Sequence, residues 1–108
     1  MLTRSEEFVL LAIWKLQEDA YSLPIRKQIS RITGRKWSLG SIYSPIERLV
    51  KRGFVTSRLS EPTAERGGRH KRIYLLTSKG RRALVEIRAI EQEMWEGVTT
   101  LALENGRK

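Results

Sequence analysis

Apolar positions recur along the chain in three helical blocks, two short strand-like runs and a final seam, with small hydroxyl residues, glycine or proline at the junctions. Thr3-Arg-Ser-Glu6 forms a capping box for a first helix, whose Phe8, Leu11, Ala12 and neighbours are nearly apolar all round through Leu16. Such a helix is expected to be buried, with Trp14 in the core. Leu23-Pro24 restarts the chain, with proline in the first turn of a second helix. That helix places Ile25, Ile29 and Ile32 on one face and Arg26, Lys27 and Arg31 elsewhere, and stops at Gly34. Trp37, an isolated large aromatic before the next helix, reads as a core plug.

A third helix carries Ile42, Ile46, Leu49 and Val50 inward and leaves Ser41, Tyr43, Ser44, Glu47, Arg48, Lys51 and Arg52 outward. Two starts are compatible with its sequence. Ser38 is one cap, whereas Ser44-Pro45-Ile46-Glu47 is itself a capping box with proline first, which would delay the helix to residue 45. The helical spacing of Ile42 and Ile46 favours the early start, with a local distortion at Pro45. After Gly53, Phe54 to Leu59 reads as a strand and Ile73 to Leu76 as its partner, around a tip holding Pro62 and Gly67-Gly68.

Thr77 or Ser78 then caps a last, long helix. Along it Leu84, Ile87, Glu91, Met94, Val98 and Leu101 recur at spacings of three and four, a seam interrupted only by Glu91. A seam extending beyond so small a domain calls for a second copy, while packing against the first helix is compatible with it. Glu91 would pair with a neighbouring arginine or fix the register. The pattern predicts an α+β, mainly α, winged helix-turn-helix with a two-stranded wing. Residues 1–77 would form the winged unit and 78–108 a C-terminal dimerisation helix packed on the same domain.

Composition narrows the function. The 108 residues suffice for one domain. The absence of cysteine excludes disulfides and cysteine-based zinc sites, and His70 alone builds no metal cluster. One histidine, one aspartate and no cysteine give a poor inventory for catalysis, and neither a nucleotide-binding glycine loop nor a paired-carboxylate motif is present. No enzyme and no cofactor is expected. The longest apolar run, Phe8 to Trp14, is too short to span a bilayer, and no signal peptide is recognisable. The expectation is a soluble cytoplasmic protein with no membrane partner.

The net charge of +9 matters because of its distribution. No acid occurs between Asp19 and Glu47, nor between Glu65 and Glu86, and the second span carries Arg66, Arg69, Lys71, Arg72, Lys79, Arg81 and Arg82. From Glu86 to Gly106 the sign reverses, with five glutamates against Arg88. A basic helix and a basic hairpin beside an acidic tail point to duplex DNA, read by one helix and gripped by the wing. The candidate contacts are Lys36, Ser41, Tyr43, Ser44 and Arg48 around the third helix, and Arg69, His70, Lys71 and Arg72 on the hairpin. The alternative is a winged helix used as a protein- or RNA-binding module. RNA's narrow major groove resists an inserted helix, and the basic spans hold few aromatics apart from Tyr43 and Tyr74.

Gly40-x-Ile-Tyr43-x-x-Ile46-x-Arg48-Leu49-x-x-x-Gly53-x-Val55, with Gly68-Arg69-x-Lys71-Arg72-x-Tyr74-x-Leu76-Thr77-x-x-Gly80, resembles the PadR family of bacterial winged-helix transcriptional regulators over roughly residues 5 to 100. The family's usual Gly-Tyr before the second helix is Ala20-Tyr21 here, the first tyrosine of its Tyr-Tyr pair is Ile73, and its common proline falls one place earlier, at Ser44. The resemblance implies a homodimeric repressor of the short-tailed subfamily that binds a palindromic operator and is released by a small, often aromatic, effector. It also implies DNA contact by Tyr43 and its neighbours, with Arg69, Lys71 and Arg72 in the wing. Trp95, beside the seam residue Met94, either packs against the first helix or faces its twin across a cavity for such an effector.

Overall fold

The computed structural model describes residues 1–62 and 70–106. The hairpin tip with Gly67-Gly68 and the wing candidate Arg69 lie outside the described residues. In chain order the elements are α1 (Arg4–Leu16), a 3-10 turn (Gln17–Asp19), α2 (Ser22–Thr33), α3 (Leu39–Lys51), β1 (Val55–Leu59), β2 (Arg72–Leu76), α4 (Ser78–Trp95) and α5 (Thr100–Asn105).

Each helix begins where its local chemistry directs. Both halves of the Thr3/Glu6 capping box form. Ser38 caps α3 by accepting from the Ser41 amide at 3.1 Å, so the helix starts early and runs through Pro45. The Glu47 box is unused because Ile42 and Ile46 are both sealed in the core, which requires helical backbone ahead of the proline. Thr77, not Ser78, caps α4.

The core gathers Val9, Leu10 and Ile13 of α1, Ile25 and Ile29 of α2, and Ile42, Ile46 and Leu49 of α3, closed by Phe54, Val55 and Tyr74. Fully burying each large aliphatic side chain contributes about 1.5–3 kcal/mol. β1 and β2 pair antiparallel with Val55 opposite Leu76 and Leu59 opposite Arg72. The hydrogen bond from the Tyr74 amide to the Ala20 carbonyl (2.8 Å) ties the free edge of β2 to the α1–α2 connection. Trp37 packs on the core edge-on to Phe8, and its indole donates to Thr33 Oγ1 at 3.2 Å, as expected of a plug.

The structure corrects four burial expectations and one of helix length. Trp14 is 50% exposed, and Leu11 is exposed with it, because the buried stripe of α1 runs through Glu6, Val9, Leu10 and Ile13. Leu11 and Trp14 occupy the next stripe and line an open groove of about 650 Å³ against Leu76, Leu84 and Val85. Ile32 is 58% exposed, since it lies in the last turn of α2, just before the left-handed cap at Gly34 redirects the chain. Val50 likewise faces outward, one position off the Ile42–Ile46–Leu49 stripe.

The expected single long C-terminal helix is two helices. α4 ends at Trp95, Gly97 takes a left-handed φ of 75°, and Thr99 caps α5 by accepting from the Ala102 amide at 3.1 Å. Glycine adopts that φ without a Cβ clash, and the Thr99 cap then supplies a new helix start. Leu84, Ile87, Glu91 and Met94 therefore share one helix, while Val98 falls in the turn and Leu101 on α5.

Candidate nucleic-acid interface

The leading half of α3 presents its small and polar residues outward by helical geometry. Ser41, Tyr43, Ser44 and Arg48 are exposed, whereas Ile42, Pro45 and Ile46 between them are buried. Two clusters flank this face.

On one side lies the base of the wing. The Tyr43 hydroxyl donates to Ser22 Oγ at 3.1 Å, and the Lys71 ammonium stands 4.6 Å from the ring centre of neighbouring Tyr21. Consecutive residues at the start of α2 thus link α3 to the wing. Arg72 Nη1 donates to Ser57 Oγ across the hairpin at 3.0 Å. His70 sits 2.6 Å through Nδ1 from the Ser60 carbonyl, and the Lys71 amide donates to Ser60 Oγ at 2.9 Å. Burial raises the Tyr74 phenol above its ordinary pKa, and nearby Tyr43 adds to the shift.

On the other side is a groove of about 460 Å³ lined by Ser5, Arg35, Lys36, Trp37, Ser41, Ser44, Pro45 and Arg48. It contains four of the five candidates around α3 and lacks Tyr43, which faces the wing. Arg35 and Lys36 come from the turn between α2 and α3, Ser5 from the start of α1. Several cations and hydroxyls on one concave surface favour phosphate oxygens, the chief source of affinity for nucleic acid.

The sequence reading missed Glu6 as part of this region. Its carboxylate is only 2% exposed and reaches Arg48 Nε (3.1 Å) and Arg52 Nη1 (3.6 Å), both on α3. Burial pushes its pKa up, but hydrogen bonds from the Thr3 backbone and from Arg48 outweigh this and hold it below the usual carboxylate value. The missed signal was positional, because Glu6 lies on the same helical stripe as Leu10 and Ile13. Tyr21 was visible in the sequence only as the second residue of Ala20-Tyr21, and Ser5 and Ser22 carried no signal.

The candidate dimerisation residues behave differently from one another within the chain. Leu84 packs against the core, and Glu91 pairs with Arg4 of α1 at 3.2 Å, one of the two roles its place in the seam allowed. Ile87 is half-buried, while Met94, Val98 and Leu101 are exposed. Trp95 is 52% exposed and is not sealed against α1. Among the described residues no helix is long and apolar enough to cross a membrane, and no cluster of histidines and acids suits a metal ion.

No curated protein matches the sequence significantly. Solved structures similar to this chain include a PadR-like transcriptional regulator from Bacillus cereus, with TM-score 0.68, 23% identity, and 95% of this chain and 91% of that one covered. A PadR family transcription regulator from Clostridium difficile gives 0.66, 22%, and 94% and 97%. Another from Eggerthella lenta gives 0.65, 25%, and 86% and 79%. These likenesses agree on the fold: a mainly helical winged-helix unit with a two-stranded wing. The profile of the transcriptional regulator PadR-like family matches residues 10–86, from the middle of α1 into α4. The chain belongs to the PadR-like family of transcriptional regulators.

Proposed function

We propose that this regulator binds duplex DNA sequence-specifically, with the leading end of α3 in the major groove and the base of the wing on the backbone. The observation that carries this reading is the adjacency of Tyr43, Ser22, Tyr21 and Lys71, which sets the exposed face of α3 beside the cationic hairpin. Phosphate contacts come from Lys36 and Arg48 on one flank and from His70, Lys71 and Arg72 on the other, while Ser41, Tyr43 and Ser44 face base edges. The protein acts as a homodimeric repressor on a palindromic operator, matching two half-sites about one DNA turn apart.

Exposed apolar side chains on α1, α4 and α5 support the pairing, since Leu11, Trp14, Val85, Met94 and Leu101 are all exposed in the single chain. A small planar aromatic effector would enter beside Trp95, between the paired tails, and alter the spacing of the two α3 helices. The test selects bound duplexes from a random pool, then titrates salt in competition against RNA and heparin. A recurring palindrome and a preference for duplex over both competitors support the reading. Equal competition by all three polyanions would sink it. For the effector, fluorescence of Trp95 in a Trp14→Phe/Trp37→Phe variant is followed with planar aromatic cations and phenolics. Compounds that quench it should also shift duplex affinity.

A further inference from the structure

Glu6 is the one charged side chain buried in the core among the described residues, and it touches the candidate recognition helix. One oxygen accepts from the Thr3 amide at 2.7 Å and the other from Arg48 Nε at 3.1 Å. Arg48 Nη1 also donates to Ser44 Oγ at 3.3 Å, one helical turn toward the leading end of α3. The guanidinium is therefore held at two points of its planar fork, as lysine could not be. The exposure of the pair is lopsided. The Glu6 side chain is sealed, whereas that of Arg48 remains 47% exposed and lines the groove with Ser5, Arg35, Lys36, Ser41 and Ser44.

A buried ion pair is a poor stability device, because desolvating the charges offsets their attraction. This arrangement hides the anion and displays the cation. A long side chain fixed beforehand also loses less freedom when it meets a phosphate. We infer that Glu6 is a positioning residue of the DNA interface, whose carboxylate sets Arg48 in the α1–α3 groove as a preformed contact for one backbone phosphate. This rests on the duplex-binding reading and adds to it a residue that itself never reaches DNA.

The test measures affinity for mixed-sequence duplex DNA, and its salt dependence, for the full chain and for Glu6→Gln, Arg48→Lys, Arg48→Ala and the Glu6→Gln/Arg48→Ala double variant. Thermal melting of each by circular dichroism verifies folding. By charge alone, removing an acid from a protein of net charge +9 would tighten binding. Positioning predicts the opposite: binding weakens severalfold and the salt slope falls by about one phosphate contact. Arg48→Lys preserves the charge but cannot bridge Glu6 and Ser44, so it weakens binding to a similar degree. Once Arg48 is alanine, Glu6→Gln removes only the longer 3.6 Å contact with Arg52 Nη1 and costs much less than in the wild type. Unchanged or tighter binding by Glu6→Gln, wild-type binding by Arg48→Lys, or a full Glu6→Gln loss in the Arg48→Ala background would each overturn the role. Arg48→Lys, at a half-exposed side chain, decides the matter if Glu6→Gln does not fold. A wild-type chain that binds no duplex at all would remove the functional reading together with this role.

Discussion

The phenolic hydroxyl of Tyr43 on α3 donates a 3.1 Å hydrogen bond to Ser22 Oγ, the first residue of α2. The bond is on the surface, so its net contribution to stability is below about 1 kcal/mol. Its effect is to aim the ring. Tyr43→Phe should leave the melting temperature nearly unchanged, while Tyr43→Ala should lose discrimination between a selected operator and scrambled duplexes at constant non-specific affinity. The comparison is made by competitive binding at a single stated salt concentration.

At the base of the wing, Lys71 and Arg72 are expected to contribute sequence-independent affinity. Lys71→Ala and Arg72→Ala should each weaken binding to all duplexes alike and reduce the salt slope by about one contact. Unchanged slopes for both would take the wing base out of the interface.

Gly80, in the first turn of α4, lies against the Phe54 backbone, where a Cβ would collide with the Phe54 carbonyl oxygen and crowd Leu76. The same strand start is tied to α4 by the Thr77 amide on the Phe54 carbonyl (3.0 Å) and the Thr77 hydroxyl on the Gly53 carbonyl (2.6 Å). The junction cannot relax without breaking those bonds. Gly80→Ala should therefore destabilise by about 3 kcal/mol or more in denaturant unfolding. A change within experimental error would mean that α4 slides freely on the wing.

Two neighbouring acids should give opposite pH signatures. The folded-state pKa of Glu6 is depressed, so its stabilisation is present above the unfolded carboxylate pKa, about 4.3, and is lost as pH falls through the folded value. Glu7 is raised, by burial first and then by the Glu91 carboxylate on α4. Its stabilisation is present below the unfolded value and is lost as pH rises through the folded one. Glu6→Gln should flatten the acid limb of the stability curve, and Glu7→Gln should increase stability at neutral pH. Parallel melting curves for the two variants across pH 3–7 would contradict the assignment.

Met94 tests association separately from folding, because it is 75% exposed in the single chain. Met94→Asp should leave helix content and the folded protomer intact while shifting sedimentation from dimer to monomer at micromolar concentration. Loss of the protomer fold itself would place Met94 in a core that the single chain does not show.

The order of the elements was readable from the sequence because their ends carry local chemistry. Thr3 with Glu6, Ser38, Gly34 and Thr77 act within one helical turn, and the Ile42–Ile46–Leu49 period fixes which side of α3 is buried. The basic spans and the motif around Tyr43 were equally legible, since charge and spacing require no folding to be seen. The sequence could not show which apolar stripe of α1 wins the core. Both stripes are hydrophobic, and only packing against α2 and α3 selects Val9, Leu10 and Ile13 over Leu11 and Trp14. It did not show that the tail seam breaks, because the three–four spacing continues through Gly97 although the backbone does not. Nor could it reveal that the capping residue Glu6 also holds Arg48, 42 positions away. Caps and periods are decided by neighbours along the chain, whereas a buried charge finds its partner only when distant helices meet in a medium that leaves it no water.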